Sequence, residues 1–100
     1  MINAKYELIT HLAEINKTEQ DILCFHMTLY TQSTTILYSN KIHESPDLEQ
    51  LDFEYYNSYG GQELFGTIWY TDSTWSTRGE YDGSEWWEYN VVPDIPVELK

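Results

Sequence analysis

Trp75-Ser76-Thr77-Arg78-Gly79-Glu80-Tyr81-Asp82-Gly83-Ser84-Glu85-Trp86-Trp87-Glu88-Tyr89-Asn90 decides the fold of this chain. Asp82-Gly83 at its centre is a two-residue hairpin signal, because a type I′ turn needs positive φ at both middle positions. Strands that close on such a turn place Tyr81 opposite Ser84, Glu80 opposite Glu85, Gly79 opposite Trp86 and Arg78 opposite Trp87. The indole of Trp86 then covers bare backbone at Gly79, and Arg78 lies on the face of Trp87. Both arms are rich in Trp, Tyr and Thr, which suit a pleated, half-buried surface.

The pattern extends outward in both directions. Leu64–Thr71, Thr74–Tyr81 and Ser84–Val91 read as three strands of a β-meander over about 63–92, with Asp72-Ser73 as the first turn and Pro93 and Pro96 ending the sheet. Further upstream, Leu23, Phe25, Met27 and Leu29 alternate with Cys24, His26, Thr28 and Tyr30, a half-buried strand. Gln32-Ser33 and the β-branched run from Thr34 to Tyr38 complete a hairpin over about 21–39. Before it, Leu8, Ile9, Leu12 and Ile15 form one apolar stripe at three- and four-residue spacing, which predicts a helix over about 3–16 with Asn3 as N-cap. Residues 40–62, with Pro46, Gly60 and Gly61, read as an acidic loop with a helical turn after Ser45-Pro46-Asp47. The expectation is one α+β domain over 1–100, its N-terminal helix packed on an antiparallel sheet of about five strands. The helical stripe is expected to meet Leu23, Phe25, Met27 and Leu29.

Composition limits the function. Seventeen Asp and Glu oppose five Lys and Arg in 100 residues, a formal net charge of −12. A chain so poor in cations does not hold nucleic acid through its phosphates, nor dock on an anionic membrane. A hydrophobic share of 41% excludes a disordered acidic tail. The lone Cys24 permits no internal disulfide and fits a reducing cytoplasm. No apolar run is long enough to span a membrane, and no leader pattern opens the chain. The Gly residues match no nucleotide fingerprint, and His11, His26 and His43 show no zinc spacing, so neither a cofactor nor a metal is expected. Cys24 with a His as a nucleophilic pair is outweighed by the habit of free Cys to serve as packing.

The charge is unevenly placed. Residues 42–99 hold thirteen acids against Arg78 alone, and twelve of the sixteen aromatics lie between Phe53 and Tyr89. Glu44, Asp47, Glu49, Asp52 and Glu54 form a near-regular series, and Glu80, Asp82, Glu85 and Glu88 form a second. Carboxylates among aromatic anchors such as Trp87 and Tyr89 can meet a basic protein and imitate the phosphate row of a nucleic acid. The competing account is that the charge serves solubility alone. Glu80 and Glu85 across the hairpin also suggest a carboxylate pair beside aromatic platforms, as in a sugar-binding module or a small glycosidase, although such enzymes use deeper clefts in larger folds. The leading expectation is a non-enzymatic protein that binds a basic, nucleic-acid-handling partner, without binding nucleic acid itself. An immunity protein that plugs a nuclease toxin is the alternative, and homo-oligomerisation is left open.

The stretch from Gly66 through Glu88, closed by Pro93-Asp94-Ile95-Pro96, resembles the C-terminal portion of small, uncharacterised accessory proteins of tailed phages. The resemblance implies an accessory protein acting in the bacterial host cytoplasm, and it assigns no chemistry to individual residues. In size and charge the chain is similar, by class, to phage anti-restriction and anti-CRISPR inhibitors, many of them acidic DNA mimics.

Overall fold

A computed structural model describes residues 1–40, 48–56 and 60–100, apart from the side chain of Thr31. The chain opens with a two-residue strand, β1 (Ile2–Asn3), that leads directly into helix α1 (Ala4–Glu14). Asn3 caps the helix as expected, its side-chain oxygen accepting from the Lys5 and Tyr6 amides at 2.9 and 3.2 Å. At the other end Asn16 turns left-handed (φ 58°), and the amides of Asn16 and Lys17 close on the carbonyls of Ala13 and Leu12. That paired closure stops the helix.

The main sheet is antiparallel with five strands: β2 (Ile22–Leu29), β3 (Thr34–Ser39), β5 (Leu64–Tyr70), β6 (Trp75–Tyr81) and β7 (Ser84–Asn90). Their spatial order is β3-β2-β5-β6-β7, so β3 and β7 are the outer strands. The fold is α+β, as the periodicities predict. The decisive hairpin has the expected register throughout, with Tyr81, Glu80, Gly79 and Arg78 opposite Ser84, Glu85, Trp86 and Trp87. Asp82 and Gly83 both have positive φ, 52° and 87°, as a type I′ turn demands.

Three expectations are corrected. A bulge between Ile22 and Cys24 sets one extra residue into β2, so Ile22 turns inward and Leu23 turns out to solvent. On the helix, Ile9 is exposed and Ile15 only partly buried; Ala4, Leu8, His11 and Leu12 form the inward face instead. The span read as an acidic loop has its expected helical turn, at Leu48–Leu51, but it also holds a two-residue strand, β4 (Glu54–Tyr55), which pairs with β1. Leu48, Leu51 and Tyr55 are buried, and the Ala4 amide donates to the Phe53 carbonyl at 2.9 Å. The Ser45-Pro46-Asp47 signal lies outside the described residues.

One hydrophobic cluster joins the helix face (Ala4, Leu8, Leu12) to the inward side chains of the sheet, among them Phe25, Met27, Leu29, Ile68 and Trp87. Along β7 the alternation is plain: Glu85 and Trp87 face this interior, while Trp86 and Glu88 face solvent. Residues 91–100 lie exposed beyond the sheet.

Candidate functional site

Arg78 projects from β6 into the interior, where its side chain keeps 2% of its exposure. An arginine there must be met by acceptors, since an unpaired buried charge is costly. Its Nη2 donates to Glu85 Oε1 at 2.9 Å and to the Tyr55 hydroxyl at 2.8 Å, and its Nη1 donates to Glu7 Oε1 at 3.1 Å. Nε reaches the Leu64 carbonyl at 3.3 Å. The Tyr55 hydroxyl donates in turn to Glu7, and the amides of Glu63 and Leu64 donate to Glu85 at 2.8 and 3.0 Å. The guanidinium carbon sits 4.8 Å from the Trp87 ring centroid and 5.8 Å from that of Tyr55. Burial pushes the Tyr55 hydroxyl well above the ordinary tyrosine range; the Arg78 charge opposes this and the Glu7 carboxylate adds to it.

This cluster ties helix, β4 and hairpin together. Arg78 therefore does not soften the negative surface, because its charge is fully engaged inside. Lys5 pairs with Glu49, and Lys17 pairs with Asp72 at 2.5 Å while lying 5.1 and 5.6 Å from the rings of Tyr70 and Tyr89. Hydrogen bonds from Lys17 and Thr74 hold the Asp72 carboxyl down at about 2. Among the described residues, every Lys and Arg except Lys100 is thus engaged by a carboxylate of the same chain.

The expected site residues divide accordingly. Glu44 and Asp47 lie outside the described residues. Glu49 is tied to Lys5, and Asp52 accepts from the Asn3 side chain at 2.8 Å. Glu54, Glu80, Asp82 and Glu88 are exposed and have no cationic partner among the described residues. Two of these also have local roles: Glu80 accepts from the Gly83 amide at 2.8 Å and Glu88 from the Trp86 indole at 3.0 Å. Glu85 and Trp87 belong to the interior, at 3% and 7% exposure, so neither offers its side chain to a partner. Tyr89 is at the margin of exposure and donates to Thr74 Oγ1 at 3.1 Å. Glu80 and Glu85 do face each other, but one is in solvent and the other is held by Arg78, which is not the arrangement of an acid and a nucleophile sharing an open cleft.

Two features escaped the sequence reading. His11 is buried, with its Nε2 2.7 Å from Ser76 Oγ, and that oxygen lies 2.7 Å from the Tyr70 hydroxyl. Burial, with Arg78 adding, holds the His11 imidazole below its ordinary value, against the opposing pull of Glu14. Ser76 is completely buried, so this chain of polar groups acts as packing between helix and sheet. The second feature is a cleft of about 270 Å³ between α1 and β7, whose lining includes Tyr6, Glu7, Thr10, Glu14, Trp86 and Trp87. Its only sequence signal is the three- and four-residue spacing of Glu7, Thr10 and Glu14 along one side of the helix. Among the described residues, no group of three or more His, Cys, Asp or Glu is arranged to hold a metal ion, and no helix is long and apolar enough to cross a membrane.

Comparison with known proteins returns no match, whether with family models, curated proteins or solved structures.

Proposed function

We propose that this is a non-enzymatic phage accessory protein that binds and inhibits a basic, nucleic-acid-handling protein of the bacterial host, acting in the host cytoplasm. The observation that carries the reading is the fate of the cations: Lys5, Lys17 and Arg78 are paired with carboxylates of the same chain, while Glu54, Glu80, Asp82 and Glu88 stay exposed with no cationic partner among the described residues. Carboxylates without counter-charge raise the local negative potential and steer a cationic groove toward them. The resemblance of residues 66–96 to phage accessory proteins supports the setting. The exposed rings of Trp86 and Tyr81, on the same hairpin as Glu80, Asp82 and Glu88, supply contact area that pure charge lacks.

The test is affinity capture of the host partner, followed by competition on the purified pair. Duplex DNA is expected to displace this protein from the partner and to show no binding to the protein alone. A partner whose DNA binding proceeds undisturbed in the presence of this protein would overturn the mimicry.

A further inference from the structure

We infer that the segment following β7, residues 94–100, adds as a sixth strand to the β7 edge of a second copy of this chain, by reciprocal exchange. β7 is an outer strand of the sheet, so one side of its backbone has no neighbouring strand. Tyr81 and Ser84 flank the two-residue turn, and such a pair exchanges both backbone hydrogen bonds, as do Gly79 with Trp86 and Thr77 with Glu88 further along. Glu85, Trp87 and Tyr89 therefore aim their N–H and C=O groups outward, and among the described residues no backbone group meets them. An open edge of this kind is a template for another strand. The side chains of these three residues lie on the α1 side of the sheet, where the cleft between α1 and β7 runs beside the edge.

The segment that follows β7 has the matching pattern. Ile95, Val97 and Leu99 alternate along it and are 61%, 82% and 73% exposed, with no core to enter. In an added strand these three share one face and direct their N–H and C=O groups toward β7, while Asp94, Pro96 and Glu98 are directed away. Pro96 then has its missing N–H on the free side, where an edge strand tolerates proline. In the single chain Val97–Leu99 make one 3₁₀ turn, closed by the Leu99 amide on the Pro96 carbonyl at 2.9 Å. One isolated turn has little stability of its own and gives way to ladder bonds.

Charge decides the register. Ile95, Val97 and Leu99 set antiparallel against Tyr89, Trp87 and Glu85 of the second copy place all three apolar side chains on the cleft side of the sheet. Asp94 then meets Asn90, Pro96 meets Glu88 and Glu98 meets Trp86 of the second copy. A shift of two residues one way sets Glu98 against Glu88, and the other way sets Asp94 against Glu88; both oppose like charges. A shift of one residue turns the apolar side chains to the wrong face. The chain does not make this pairing with its own β7. Val92 precedes Pro93 and is held extended, which carries the backbone on past Asn90 instead of doubling it back within residues 90–94. Extended, residues 91–94 span about 13 Å, more than the roughly 10 Å across two strand spacings, so the segment reaches the edge of a neighbour. Each copy gives one segment and receives one, a closed two-fold exchange.

The experiment is sedimentation equilibrium of the intact protein from micromolar to millimolar concentration, at low and high salt. A dimer is expected that tightens as salt screens the repulsion between two chains of net charge −12, the opposite sign to binding through the acidic surface. Val97→Pro removes an N–H directed at the second copy and is expected to weaken the dimer by about tenfold, the scale of one unmet backbone group. Glu98→Pro removes an N–H directed at solvent and is expected to leave the dimer intact. Both positions are exposed, so neither change disturbs the core. Amide exchange at Trp87 and Tyr89 is expected to slow as the dimer forms. A protein that stays monomeric throughout, a dimer indifferent to Val97→Pro, or one weakened equally by both substitutions overturns the inference. Slow exchange at Trp87 in a monomer means that the segment folds back on its own strand, which also overturns the exchange.

Discussion

Glu85 and Glu88 lie three residues apart on β7 and serve opposite purposes. Glu85 turns inward, takes two backbone amides and the Arg78 guanidinium, and holds the hairpin to the rest of the fold. Glu88 turns outward, accepts from the Trp86 indole nitrogen, and has no cationic partner among the described residues. The same division runs through the whole hairpin, with Ser76, Arg78 and Trp87 inside and Thr77, Trp86 and Glu88 outside. The comparison teaches that net charge is not a single property here. Part of it is structural and neutralised in place, and the remainder, in the function proposed above, is what a partner meets.

The largest break in that comparison comes from Arg78→Ala. It strands Glu7 and Glu85 as buried carboxylates, and urea unfolding is expected to show a loss of about 3–5 kcal/mol. Adding Glu85→Gln to Arg78→Ala is expected to recover part of the loss, because the stranded charge is removed. A loss below 1 kcal/mol for Arg78→Ala would mean that the inner cluster does not hold the fold.

Gly83→Val comes next. Gly83 has φ 87°, and a Cβ there would fall 2.5 Å from the Gly60 carbonyl oxygen. Strain at the turn is expected to cost about 1–3 kcal/mol, read as a lowered melting temperature. An unchanged melting temperature would refute the type I′ geometry on which the inside–outside register depends.

A smaller effect separates the buried histidine from the exposed charges. Because burial lowers the folded-state value of His11 below 6.5, the unfolded chain takes up its proton first. Its contribution is therefore complete above about 6.5 and declines as the pH falls toward the lower folded value. Denaturation midpoints of the parent are expected to fall between about pH 7 and 5.5, and His11→Gln is expected to flatten that slope. An identical slope in both proteins would place the pH sensitivity elsewhere.

Much of the hairpin was legible because its signals are local. Asp82-Gly83 determines a turn, the turn determines a register, and the register places Arg78 over Trp87 without any long-range information. Which face of β7 is buried was not legible, since each face carries one Trp and one Glu and the alternation reads the same from either side. The bulge that turns Leu23 outward leaves no mark in an apolar run that contains Ile22, Leu23 and Phe25 together. The pairing of β1 with β4 joins two-residue strands far apart in the chain, too short to carry a period. Nothing local marks Glu7, because its partners, Tyr55 and Arg78, come from β4 and β6.

The most direct test of the inside–outside division is one variant carrying Glu54→Gln, Glu80→Gln, Asp82→Asn and Glu88→Gln. The amides keep the acceptor atoms used by Gly83 and Trp86 and remove only charge. Association with the captured host partner would be followed by stopped flow from low to high ionic strength, beside the parent protein. The parent's rate is expected to fall steeply with salt, since exposed charges are screened beyond roughly 8 Å at physiological ionic strength. The variant is expected to associate more slowly, with a flatter salt dependence and an unchanged melting temperature. A variant that unfolds, or one that binds as fast as the parent with no salt dependence in either, would contradict the division of this protein's charge into an inner framework and an outer binding surface.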